Sequence, residues 1–380
     1  MRTKLLTTFL VGALALGNTG CLKKMILNGT IASTRIGAGA SDTIGDYELA
    51  RGASSAAMLQ FEGMHRLNPD NEDALYLLMR GWAGYGYAFP MDDMEAALVA
   101  GNEDEAEYHK KRAKLALDRS VAYGLELMEK SKGVEGFKEA TKSADTMKAW
   151  LKKNFEEKED AEALFWVGSA WMARVSIMKD DPELVAQLFV GVAMLERSRE
   201  LNPEYMAWGA TSTLGAYHAR SPSAELDDAK KLLDEAVAKT QGKALGIHLN
   251  YARYACAKGD QALYEKMVNE VINAEDPEPL YRLQNTVAKR RAKRMLKKAA
   301  MEDCGFMAPE PPKKHEPAKH DAPPAKADAP KPAEPAKPAE PAKPAAGAAP
   351  AKPGEPAKPA AGTAPAKPAE PAKPADPAKK

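Results

Sequence analysis

The sequence predicts an all-α fold, an array of stacked helix pairs that ends in a disordered C-terminal tail. Three observations predict it. A helix-start motif recurs along the chain, apolar stripes follow helical spacing on more than one face, and no run of alternating β-branched residues reads as a strand.

The starts are Asn68-Pro69-Asp70, Asp181-Pro182-Glu183, Asn202-Pro203-Glu204 and Asp276-Pro277-Glu278. In each, an Asn or Asp side chain is placed to cap orphan backbone N–H groups. Proline follows where a missing N–H costs nothing, and an acid then faces the helix dipole. With the apolar periodicity, these starts give helices near 46–66, 71–88, 103–130, 134–153, 160–179, 182–200, 204–219, 225–239, 243–258, 260–273 and 278–302. Within 161–178, Leu164, Val167, Trp171, Arg174 and Met178 form one stripe, and Trp166, Ala170, Ala173 and Ile177 form another. A helix apolar on two sides packs on two sides, as in stacked pairs. Gly81, Gly84, Gly86, Gly168, Gly209 and Gly215 suit close helix approach. Leu-Asn-Pro occurs at Leu67–Pro69 and again at Leu201–Pro203, an offset of 134 residues, about four tetratricopeptide periods of ~34 residues. The pattern between them is degenerate, so the array reads as cryptic and tetratricopeptide-like.

The chain divides into four zones. Residues 1–20 read as a lipoprotein signal peptide: Arg2 and Lys4 precede the apolar run Leu5 to Leu16, and Thr19 and Gly20 precede Cys21. That run is shorter than the ~20 apolar residues needed to span a bilayer. Cys21 is then the expected lipidation site, with its lipid anchoring the mature chain to a membrane outside the cytoplasm. Residues 21–41, rich in Gly, Ala and Ser, read as a lipidated flexible linker, and 42–306 as the helical domain. Residues 307–380 hold 21 of the 28 prolines and no aromatic residue, Val, Ile or Leu. Such a segment buries too little apolar area to offset chain entropy, and units such as Pro335-Ala-Lys-Pro-Ala-Glu-Pro341 favour extended polyproline II. The net charge of +1 hides a tail of +4 and a globular part of −5, which argues against a nucleic-acid partner.

Little in the chain suggests catalysis. None of the six histidines has metal-ligand spacing, Gly37-Ala-Gly39 lacks the rest of a phosphate loop, and no nucleophile elbow is present. The expectation is a protein without catalytic residues, metal or cofactor, apart from the lipid on Cys21. Cys256 and Cys304 are expected as free thiols, with pairing open in an oxidising compartment. The basic run Lys289 to Lys298 puts Arg290, Lys293, Arg294 and Lys297 on one face, read as a solvated helix end whose cations suit its dipole.

The aromatic residues are more suggestive. Trp82, Tyr85, Tyr87 and Phe89 cluster at one helix end, and Trp171, Trp208 and Tyr217 follow in later helices. Core packing is the default for such residues. Arg174 shares a stripe with Trp171, and a guanidinium there needs either a carboxylate or an anionic ligand. Aromatic walls with one arginine suit a small organic anion.

Several segments, in order, resemble the TatT component family, the tetratricopeptide-like lipoproteins associated with tripartite ATP-independent periplasmic (TRAP) transporters. They are Tyr85-Gly-Tyr87-Ala-Phe89, Arg112 to Arg119 leading to Tyr123-Gly124-Leu125, Trp166 to Trp171 leading to Asp180 through Leu184, Leu195 to Pro203, and Asn250 to Tyr254. The resemblance covers roughly Ala40 to Cys304, and the Pro-Ala-Lys tail falls outside it. It implies a homotrimer with a pore in each protomer and a periplasmic TRAP solute-binding protein as partner. It also implies a small hydrophobic or carboxylate-bearing ligand. On that view Trp82, Tyr85, Tyr87, Phe89, Trp171, Trp208 and Tyr217 give apolar contacts, and Arg174 holds the anionic group. The location implied is the periplasm-facing cell envelope, with Leu22 after Cys21 favouring the outer membrane. The alternative is an envelope scaffold that binds protein partners without a small ligand.

Overall fold

The computed structural model describes residues 22–133, 135–220 and 225–307; the expected signal, Cys21 and the tail beyond Met307 lie outside the described residues. Helix α1 occupies 22–37. It is followed by a 3₁₀ turn (Ala38–Thr43), α2 (Tyr47–Leu67), α3 (Glu72–Ala88), α4 (Pro90–Ala100), α5 (Glu103–Lys132), α6 (Phe137–Ala140), α7 (Ala144–Asn154) and α8 (Asp160–Ile177). Then come α9 (Pro182–Ala186), α10 (Leu188–Leu201), α11 (Tyr205–Arg220), α12 (Leu226–Thr240), α13 (Leu245–Lys258), α14 (Gln261–Asn273), a second 3₁₀ turn (Pro279–Tyr281), α15 (Arg282–Met295) and α16 (Lys298–Glu302). Among the described residues there is no strand, so the all-α expectation holds.

Local chemistry sets several helix starts. Asp46 accepts from the Glu48 and Leu49 amides at 3.0 Å, Asn71 from Ala74 at 2.8 Å, and Ser143 closes a capping box with Thr146. The proline motifs work differently from their sequence reading. Asp181 does cap α9, accepting from Glu183 and Leu184. Asn68 and Asn202 instead end α2 and α10, and Asp276 lies in a loop before the second 3₁₀ turn. The expected single helices over 134–153, 182–200 and 278–302 are each broken into shorter pieces, and α4 is an addition that starts with Pro90.

The expected flexible linker is also corrected. Residues 22–37 form α1, because Ile31 is fully buried and Leu27 packs beside it against α2 and α3. Asn28 Oδ1 accepts from Asn68 and Asn71, and Arg35 pairs with Asp73 and Glu162. Burial of a branched apolar side chain, worth about 1.5–3 kcal/mol, outweighs the low helix propensity of Gly, Ser and Thr in this stretch.

The helices alternate between two layers. α3, α8, α11, α13 and α15 touch in succession, while α5, α10, α12 and α14 each bridge two of them. This zigzag accords with tetratricopeptide-like pairing. α3 is apolar nearly all round, with Leu75, Leu77, Leu78 and Met79 almost wholly buried. α8 and α10 meet at paired glycines: a Cβ on Gly168 would lie 3.0 Å from the Gly191 carbonyl. Gly84, by contrast, faces open space.

The last layer helix returns to the first elements. α15 contacts α2, α4 and the first 3₁₀ turn. Asp92 of α4 is 0 % exposed and accepts from Arg290 Nε at 3.0 Å, from Arg294 Nη2, and from Tyr47 Oη at 3.0 Å. Buried Arg291 lies 3.2 Å from Glu95 and donates to the Tyr87 carbonyl at 2.8 Å. The basic run is therefore only partly a solvated face: Lys293 and Lys297 are exposed, but the arginines clasp the two ends of the array together. Cys256 and Cys304 form a disulfide, correcting the free-thiol expectation, and tie α13 to the segment after α16.

Candidate functional site

Helices α3, α8 and α11 meet at a polar and aromatic wall. Tyr76 and Arg80 stand one turn apart on α3, so they share a face. Tyr76 Oη lies 3.2 Å from Tyr205 Oη at the start of α11, and Trp166 Nε1 of α8 donates to Tyr205 Oη at 2.9 Å. Arg80 donates to Asp42 at 2.6 Å and sits 5.8 Å from the Trp166 ring. Arg35 covers Tyr76 at 3.9 Å. Burial, with Tyr76 and Glu162 nearby, pushes the Tyr205 phenol well above the usual tyrosine range, so it stays a neutral hydroxyl. Burial also pushes Asp42 up, even against Arg80. The wall offers hydroxyl and guanidinium donors, and among the described residues no cluster could hold a metal ion.

Backbone strain lies beside this wall. Met206, Ala207 and Trp208 have φ of 48°, 55° and 56°, a left-handed turn without glycine. Each such residue costs roughly 1–2 kcal/mol, so surrounding contacts must hold the turn. Met206 packs against the cluster that contains Phe165 and Leu214, while Ala207 belongs to a cluster with Ala236, Ala244 and Ile247 against which Trp208 packs. Gly209 follows because a Cβ there would meet the Phe165 ring at 2.8 Å. The turn redirects Trp208, and stored strain of this kind concentrates at ligand clamps and switches.

A second corner is cationic. Asn250 of α13 donates to Ser212 Oγ of α11 at 2.8 Å, joining the two helices, and Arg253 donates to Asn250 at 2.7 Å. Burial and the like charge of Arg253 push the Arg220 guanidinium down to about 10, with only Tyr87 acting the other way. Among the described residues, no carboxylate lies within ion-pair distance of Arg220 or Arg253. Arg220 keeps exposed surface, and its Nε donates to the Ala216 carbonyl at 3.3 Å. Arg291, itself paired with Glu95, stacks 4.0 Å over the Tyr87 ring. Unpaired cations beside aromatic faces suit a carboxylate with an apolar body.

The residues singled out in the sequence do not converge on one pocket. Trp82 and Tyr85 of α3 and Phe89 just after it form a stripe of touching rings. Trp82 donates to Glu62, Tyr85 accepts from Arg112 at 2.9 Å, and Phe89 is buried against Tyr47. Tyr87, 47 % exposed, contacts α15 instead. Trp171 is buried and donates to the Gln187 carbonyl. Arg174 stacks on Trp171 and pairs with Asp118 at 3.3 Å, while its Nε is buried without a hydrogen bond. Tyr217 packs beside Phe165 and Leu214, where burial pushes its phenol up. Cys21 lies outside the described residues. Sequence reading missed Arg80, Tyr205, Arg220 and Arg253. Arg80 leaves one local signal, a lone charge inside the apolar run Leu75-Tyr-Leu-Leu-Met-Arg80; the others are joined only by tertiary packing.

Residues 44–302 match the family described as TRAP transporter T-component. The chain is also 22 % identical over 237 residues to an uncharacterized protein of Treponema pallidum (strain Nichols), covering 61 % of this chain and 72 % of the relative. The family match spans the whole two-layer array, including the cationic corner, the closing clasp and the wall apart from Arg35 and Asp42. On that span, the chain belongs to the TRAP transporter T-component family.

Proposed function

We propose that this protein is a lipid-anchored, non-catalytic accessory of a TRAP-type uptake system, with its lipid on Cys21. It stands in the periplasm-facing envelope, at the outer membrane, and assembles as a homotrimer. It binds or channels a small ligand with a carboxylate and an apolar body, and it docks the periplasmic solute-binding protein. The family assignment supports the transport role. The ligand class rests on one observation: Arg220, which feels the charges of Arg253 and Tyr87, has no carboxylate in ion-pair reach among the described residues, and neither does Arg253. Arg174, expected from sequence to take the anion, already has Asp118, and buried Phe89 and Trp171 serve as supporting packing.

Two measurements test this reading. Purification from native membranes should bring down a TRAP solute-binding protein; recovering other envelope proteins and no such partner would favour a scaffold instead. A fluorescent aliphatic carboxylate should bind the purified protein, with Arg253→Ala weakening it at least tenfold, about 1.4 kcal/mol. Arg174→Ala should leave that affinity nearly unchanged. The reverse pattern would move the anion site to α8.

A further inference from the structure

Helix α1 has two committed faces. Leu27, Asn28, Ile31 and Arg35 are held against α2, α3 and α8 by burial, amide hydrogen bonds and ion pairs. At about 100° per residue, positions 22, 25, 26, 29, 33 and 36 share the opposite side. There Leu22, Met25, Ile26 and Ile36 are 52–84 % exposed, separated only by Gly29 and Ser33. Because the polar contacts fix the rotation of α1, this apolar stripe cannot turn inward within the protomer. At 1.5 Å per residue the stripe is about 20 Å long.

The occupant follows from position and charge. The stripe begins one residue after Cys21, and exposed Lys23 and Lys24 sit at the same end. Lys24 turns toward Asn28 and Arg35, leaving Lys23 as the exposed cation at the anchor end of the apolar face, and such a face suits the boundary between acyl chains and anionic headgroups. No described helix is long and apolar enough to cross a membrane, so a bilayer contact by α1 would run along the surface. We infer that the outward face of α1 rests in the headgroup region of the bilayer that carries the anchor, holding the domain flat against the membrane instead of on a slack tether. This rests on the reading of Cys21 as the lipid-bearing residue.

The test uses the full-length lipidated protein in vesicles of phosphatidylethanolamine and phosphatidylglycerol. Met25→Trp, Ile36→Trp and, as a control, Leu59→Trp on the exposed face of α2 each add one tryptophan to an unchanged background. With bromine-labelled acyl chains, the added fluorescence at 25 and 36 should be quenched more than twofold, while that at 59 is not. Equal, weak quenching at all three positions in vesicle-bound protein would overturn the inference and leave the anchor standing. Failure of the unmodified chain to pellet with vesicles would overturn the anchor and the inference with it. Concentration-dependent shielding of positions 25 and 36 without vesicles would assign the face to a second copy and also overturn the inference.

Discussion

Asp92 shows how much one carboxylate can hold. Burial alone would raise its carboxyl, but Arg294, Arg290 and Arg291 overcome that and keep it below the usual carboxylate range. Removing it unpairs Arg290 and leaves Arg291 and Arg294 to share Glu95 alone. Asp92→Ala should therefore lower unfolding free energy by about 3–5 kcal/mol, read from urea denaturation at neutral pH. The folded-state pKa lies below the unfolded value of ~3.9, so this contribution is present above that value and is lost as pH falls through the depressed one. Stability of the unmodified chain should drop in strong acid, and Asp92→Asn should flatten that part of the profile. Two other positions give opposite expectations. A Cβ on Gly124 would come within 2.2 Å of Val167 Cγ2, so Gly124→Ala should cost about 1–3 kcal/mol by overpacking. Exposed Gln241 ends α12 in the left-handed region at φ 53°, and Gln241→Gly should gain roughly 1 kcal/mol.

Among the elements, the disulfide gives the clearest test. Cys256 and Cys304 are 48 residues apart in sequence. Reducing them should lower stability by about 2–4 kcal/mol, with amides of α16 exchanging first. The bond was not legible in sequence, because two distant cysteines say nothing of their spacing in space. Element boundaries were legible where signals are local. The edges of α2, α5, α11 and α14 fall within about two residues of those set by capping and periodicity. Asn-Pro misled at Asn68 and Asn202, where the asparagine closes one helix before another opens. α1 was hidden by its Gly, Ser and Thr content, which tertiary burial of Ile31 overrode. The aromatic residues were readable as packed positions, but which rings share a wall depends on helix stacking. The left-handed turn at 206–208 had no glycine to announce it.

At the scale of the whole molecule, the clasp between α15 and the α2–α4 region joins groups 198 to 204 residues apart in sequence. An open helical array can fray at either end, whereas here each end covers the other. Arg290→Ala combined with Arg294→Ala should raise amide exchange in α2, α4 and α15 together while leaving α8 and α10 protected; separate changes at the two ends would break that coupling. The clasp also sets an order in time. A chain that emerges N-terminus first presents Tyr47, Phe89 and Asp92 long before Arg290, Arg291 and Arg294 arrive. Contacts of such long sequence separation form slowly, so protection at the clasp should be the last to appear in pulse-labelled refolding. Until then the early helices wait with a charged, half-built seam, and the newly made protein depends on whatever holds that seam soluble.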